Sequence, residues 1–175
     1  MDYSIILSEN KTMIQFDNQG YITPAEIIEI DFDFFEKTFV FNENRQLILQ
    51  EYLIFLNELK TLNIGSFYQW INGSFTTLKS NPNDIDVVTF VHFEEYQKHN
   101  QYFRNKYLNR HLGKIDCYFL SSYPENDSNF PVFKANYLDF YHKFSKDIKL
   151  EKYLKSKNRS IFNKNFNKGF VKINF

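Results

Sequence analysis

Residues 70–88 read WINGSFTTLKSNPNDIDVV, and the reading of the whole chain turns on them. The stretch joins a small-residue turn, Gly73-Ser74, to two acids, Asp84 and Asp86, set among apolar residues. Strand alternation puts Asp84 and Asp86 on one face and Ile85 and Val87 on the other. Two carboxylates side by side repel, so burying them together calls for a cation. Mg²⁺ is the natural one, because it takes hard oxygen ligands and keeps positions for water and phosphate. A Gly-Ser turn can bring backbone N–H groups and a hydroxyl up to a phosphate, more so where a helix starts. These are parts of a metal-assisted phosphoryl or nucleotidyl transfer site.

The order Gly-Ser after an apolar strand, nine residues, Asp-x-Asp and an apolar run resembles the signature of the DNA polymerase β-like nucleotidyltransferase superfamily. Within it, the stretch is similar to a family of short uncharacterised bacterial domains. The likeness is strongest over residues 71–120 and weaker in the preceding helix and the final KGFVKINF. The resemblance implies that Gly73-Ser74 opens a short helix and grips the triphosphate, and that Asp84 and Asp86 bind metal. A third carboxylate on a later strand completes such sites, and Asp116 in KIDCYFL fits that place. It further implies Mg²⁺ or Mn²⁺ as cofactor, an NTP as donor, a protein or RNA hydroxyl as acceptor, and a toxin–antitoxin or phage-defence setting. One departure is plain. Minimal members often carry a basic residue just after Gly-Ser, whereas Phe75, Thr76, Thr77 and Leu78 follow here. Lys79 either reaches a phosphate in its place or is solvated. Two other readings therefore stand beside an active enzyme: an inactive nucleotidyltransferase fold that binds nucleotide or regulates, and an RNA-binding module.

The 175 residues suit one domain, with an N-terminal arm over 1–30 and a basic C-terminal segment over 142–175. No stretch reads as a signal peptide or as an apolar run of membrane length. The single cysteine, Cys117, fits a reducing, cytoplasmic setting and reads as a core residue rather than a nucleophile. The four histidines lack zinc-ligand spacing. The net charge of zero conceals a gradient. Residues 1–60 hold 11 acids and 4 bases (−7), residues 61–141 hold 8 and 7 (−1), and residues 142–175 hold 2 and 10 (+8). Such an end either meets an anionic partner or complements the acidic half of the same molecule. Residues from about Lys143 to Lys168 are expected to flank the site.

In chain order, MIQF and EIIEI read as strands separated by turn signals at Asp17, Asn18, Gly20 and Pro24. Asn42 reads as the N-cap of a helix over 43–62, whose Ile48, Tyr52, Phe55, Leu56 and Leu59 share a core face. Strands are predicted over 67–71, from Asp84 to about His92, and around Asp116. A helix over 94–111, ended by Gly113, lies between the last two. Residues 121–131 read as a loop, 135–157 as a helix and 170–175 as a closing strand. The predicted class is α/β (α+β), a nucleotidyltransferase-like mixed β-sheet packed by helices, with Asp84, Asp86 and Asp116 converging beside Ser74.

Overall fold

Alternation along residues 85–91 sorts the molecule into layers. Ile85, Val87 and Val91 join one buried apolar cluster, while Val88 and Phe90 join a second one on the opposite face of the sheet. A strand buried on both faces reads as a continuous apolar run, which is what VVTFV is. The computed structural model describes residues 14–109, 113–147, 151, 155–156 and 167–175.

The strands are β1 (Gln15–Phe16), β2 (Ile22–Thr23), β3 (Ile27–Glu29), β4 (Tyr68–Asn72), β5 (Ile85–His92), β6 (Ile115–Ser122) and β7 (Phe170–Asn174). The helices are α1 (Phe32–Phe39), α2 (Glu43–Thr61), α3 (Phe93–Lys98), α4 (Asn100–Leu108) and α5 (Phe130–Phe144), with a 3₁₀ turn over Gly73–Thr76. β1 and β2 form a small antiparallel hairpin, and the remaining strands form a five-stranded sheet in the order β3-β7-β4-β5-β6. β3 is parallel to β7 and β5 to β6, whereas β4 is antiparallel to both its neighbours. The predicted α/β (α+β) class, a mixed sheet packed by helices, is what the molecule shows. Parallel β5 and β6 need a crossover, and α3 and α4 supply it.

One face of the sheet is covered by α1 and α2, whose Phe35, Phe39, Ile48, Tyr52, Phe55 and Leu59 are buried with Ile71, Val87 and Val171. The other is covered by α5, which lays Phe133, Tyr137, Phe140 and Tyr141 against Trp70, Phe90 and Phe170. Trp70 meets Tyr137 edge to face at 4.6 Å, a geometry that aromatic pairs favour. Asn42 is the N-cap of α2, its side chain accepting from the Arg45 N–H at 3.0 Å. A buried polar chain ties the layers together: the Tyr52 hydroxyl donates to Gln69, and Gln69 Nε2 donates to Thr89 Oγ1 at 2.8 Å.

Two helices differ from the sequence expectation. The single helix over 94–111 is broken at His99 into α3 and α4, and the break lets Tyr96 and Phe103 stack at 4.9 Å beneath it. α5 starts at Phe130 rather than 135, because Pro131 falls in its first turn, where the missing N–H costs nothing. It ends at Phe144 rather than 157: Lys146 bridges to Asn167, and the Ser145 carbonyl accepts from the Lys168 N–H at 3.0 Å.

Candidate phosphate and metal site

β4 delivers Asn72 and then Gly73, where the chain turns at φ +84°, a conformation that favours glycine. Gly73 cannot carry a side chain for a second reason. A Cβ there would run into Oδ2 of Asp86 and lie 3.0 Å from its Cγ. The 3₁₀ turn is four residues long, too short to act through a helix dipole, so a phosphate would be met by individual N–H groups.

The register brings the acids together. Asp86 lies opposite Asn72 on β4 and opposite Asp116 on β6, so the three residues form a row across adjacent strands. The Tyr118 hydroxyl donates to Asp116 Oδ2 at 3.3 Å. Asp84 stands just before β5, half-buried, two residues from Asp86 and so on the same side. A cavity of about 1180 Å³ opens over this row, and Gly73, Ser74, Lys79, Asp84, Asp86 and Asp116 all line it. All six sequence-predicted site residues thus share one cavity.

Convergence is partial, however. Among the described residues, no three His, Cys, Asp or Glu side chains are gathered closely enough to hold a metal ion. The donor chemistry suits a hard divalent cation, with carboxylate oxygens from two neighbouring strands and the loop before one of them. What the structure holds ready is the Asp86–Asp116 pair with Asp84 beside it, not a closed ligand shell.

The turn is held from behind by a residue the sequence reading missed. Arg45, on α2, is fully buried. Its Nη1 donates to the carbonyls of Phe39 (2.8 Å) and Phe75 (2.6 Å), and its Nη2 to those of Thr77 (2.6 Å), Lys79 (2.7 Å) and, more weakly, Ser74 (3.4 Å). The guanidinium also lies over the rings of Phe41 at 4.1 Å and Phe75 at 5.1 Å. Burial lowers its pKa to about 10, which still leaves it protonated at neutral pH. Asn42 Nδ2 donates to Ser80 O at 2.7 Å, and Asn44 Nδ2 to Pro82 O at 2.8 Å. The start of α2 therefore fixes the whole loop from Ser74 to Pro82. A signal was present: stepping back three residues from Ile48 along the core face lands on Arg45, a charge on an apolar stripe.

The cavity's other walls come from distant parts of the chain. The β1–β2 hairpin contributes Asp17, Gly20 and Tyr21. The Tyr21 hydroxyl donates to Asp147 Oδ2 at 2.6 Å, which joins the hairpin to the segment after α5. Burial, followed by that bond, raises the phenol well above its ordinary range. Asn72 Nδ2 donates to the Phe144 carbonyl at 2.9 Å and so pins the end of α5 beside Gly73. Lys143, Lys146 and Lys168 line the wall there. Of the basic segment expected to flank the site, these three do so, whereas Lys157, Arg159 and Lys164 lie outside the described residues. Cys117 is buried in the core, and burial pushes its thiol up to about 11, so at neutral pH it is not a thiolate nucleophile.

Among the described residues no helix is long and apolar enough to cross a membrane. No curated protein matches the chain, and no solved structure matches it. Residues 14–174 match the family of unknown function DUF6932, and the chain belongs to that family.

Proposed function

We propose that the protein is a metal-dependent nucleotidyltransferase, moving a nucleoside monophosphate from an NTP to a hydroxyl of a protein or RNA. One observation carries this reading. Asp86 and Asp116 stand opposite each other on parallel strands, with Asp84 and the Gly73–Ser74 turn lining the same cavity. The transfer forms a bond from the acceptor oxygen to the α-phosphorus and breaks the bond from that phosphorus to the bridging oxygen. Pyrophosphate leaves, and the acceptor proton passes to solvent. Mg²⁺ or Mn²⁺, held by Asp84, Asp86 and Asp116, would supply charge neutralisation between carboxylates and phosphates.

The chain's own residues do the rest. Gly73 leaves room for the Asp86 carboxylate against the turn, and Ser74 and the turn's N–H groups meet phosphate oxygens. Arg45 keeps that turn fixed, so no reorganisation is needed when substrate arrives. Lys79 lines the cavity at its exposed edge, within the loop that Arg45 holds. The toxin–antitoxin or phage-defence setting rests on the sequence resemblance alone. Incubation with each α-labelled NTP, Mg²⁺ or Mn²⁺ and a cell extract should transfer label to a macromolecule, and an Asp86→Asn variant should not. Label transfer by that variant at the wild-type rate would end the proposal.

A second reading, nucleotide binding without turnover, is favoured by two observations. No basic residue directly follows Gly73-Ser74, and no closed three-residue ligand shell is found among the described residues. Saturable NTP binding with no label transfer under any condition would select it. The RNA-binding reading draws on the basic segment over 142–175, of which residues 148–150, 152–154 and 157–166 lie outside the described residues.

A further inference from the structure

Tyrosine hydroxyls donate to carboxylates at several places, and the bonds do different work. Tyr21 reaches Asp147, 126 residues away, and Tyr102 reaches Glu58, 44 residues away, so each ties distant parts of the chain together. Tyr118 instead donates to Asp116 Oδ2 at 3.3 Å, two residues back on its own strand β6. That bond joins no two elements and so adds little to the fold. Strand alternation puts both side chains on one face, and both line the cavity that Asp86 shares. The Tyr118 ring is held independently of the bond. It lies opposite Val88 in register and meets Phe140 of α5 edge to face at 5.1 Å. The end of α5 is in turn pinned by Asn72, next to Gly73. A hydroxyl on a ring held in this way is a fixed donor, and its acceptor is one of the carboxylates of the row.

We propose that Tyr118 is a positioning residue for the metal: its hydroxyl fixes the rotation of the Asp116 carboxylate, which then meets a divalent cation shared with Asp86 without first being ordered. The inference rests on the nucleotidyltransferase reading and deepens it. A carboxylate that must be held in one orientation to bind an ion loses freedom on binding, and a partner that holds it beforehand removes that cost. A phenol fits this task, since it holds the carboxylate without bringing a positive charge that would repel the cation. Packing against Phe140 requires only the ring, which leaves the hydroxyl to the carboxylate.

The test titrates Mn²⁺, followed by electron paramagnetic resonance, into wild type and Tyr118→Phe in the presence of a non-hydrolysable NTP analogue. A second measurement takes the affinity for that analogue at saturating Mn²⁺. Tyr118→Phe keeps the ring and removes only the hydroxyl. At 3.3 Å the bond is long for a hydroxyl and a carboxylate, so a moderate effect is expected. Half-saturation should need about three- to tenfold more Mn²⁺, less than a closely bonded partner of a metal ligand commands. The analogue should bind as tightly as to wild type once the metal is saturating, and the melting temperature should be nearly unchanged. A merely structural tyrosine would not shift the metal requirement alone. Tyr102→Phe is the control, because it also removes a hydroxyl bonded to a carboxylate, but on α4, away from this cavity. It should leave the Mn²⁺ requirement as it is. A Mn²⁺ requirement of Tyr118→Phe equal to that of wild type would overturn the inference and leave the enzyme reading intact. Weaker analogue binding that persists at saturating metal, with the metal requirement unchanged, would also overturn it and assign the hydroxyl to the nucleotide. No Mn²⁺-dependent binding of the analogue by wild type would remove both.

Discussion

The carboxylate of Asp86 occupies the space over Gly73 that any other residue would need for its Cβ. Gly73 also holds φ at +84°, so conformation and packing exclude a side chain independently. Gly73→Ala should therefore lower stability by about 1–3 kcal/mol, or roughly 2–4 °C of melting temperature per kcal/mol at this chain length. It should also abolish NTP binding, since Asp86 must move. Gly65→Ala is the matched control, because nothing lies within 4 Å of the added Cβ. Equal melting temperatures for the two variants would show that the turn adapts without strain.

Arg45 is the next residue to remove. Arg45→Met strips the guanidinium from the carbonyls of Phe39, Phe75, Thr77 and Lys79, while that of Ser74 keeps the Thr77 hydroxyl at 2.8 Å. Buried acceptors stripped of a charged donor cost about 1–3 kcal/mol each when water cannot replace it, and some of these reach solvent. A total loss of at least about 3 kcal/mol is expected. Arg45→Lys should recover only a small part, because one ammonium cannot span both groups of carbonyls. Denaturant titration of the three proteins measures both. A lysine variant as stable as wild type would mean that charge alone, not the fork, holds the loop.

The carboxylate row makes a different forecast. Asp86 and Asp116 face each other across parallel strands, and Asp84 lines the same cavity, so each can be replaced without opening the core. On the proposed function, Mg²⁺ with NTP should raise the melting temperature of wild type, whereas Asp84→Asn and Asp116→Asn should fold about as well as wild type and lose that rise. If metal and nucleotide shift wild type and variants equally, the ligand is bound elsewhere.

How much of this was legible beforehand follows from where each signal resides. The Asp84–Asp86 spacing and the apolar run after it are local, and β5 starts at Ile85, one residue from the expected place. Asn42 was readable as a cap because its side chain serves the next turn of its own helix. Arg45 shows in the sequence as a charge on an apolar helix face, but what it holds does not, because its partners lie some 30 residues away, at Ser74, Phe75 and Thr77. The same holds for the pairing of Tyr21 with Asp147, 126 residues apart. The His99 break and the early end of α5 come from packing and from a bridge to Asn167, which helix periodicity does not encode. Pro131 was read as a loop marker, although the first turn of a helix accepts it equally well.

The last prediction concerns alkaline pH. Burial raises the phenols of Tyr21, Tyr52, Tyr68, Tyr96, Tyr102 and Tyr137 above their ordinary value of 10.0. A phenol with a raised folded pKa contributes stability that is complete below its unfolded pKa and is lost as pH climbs above it. The Cys117 thiol, pushed from 9.0 to about 11, acts in the same direction from pH 9 upward. Arg45 acts in the opposite sense. Lowered from 12.5 to about 10, it loses its proton earlier in the folded state, so it adds stability between those values. One group opposes seven, and stability should fall steeply above pH 10. For a fully buried phenol such as Tyr52 the slope is about 1.4 kcal/mol per pH unit. Tyr52 also donates its proton to Gln69, a bond that ionisation would destroy. Tyrosinate absorbance should therefore rise as one cooperative step together with loss of circular dichroism, not as a gradual titration centred near 10. A gradual rise with intact dichroism would mean that water reaches these phenols in the folded protein, and that the aromatic layers on both faces of the sheet open without unfolding.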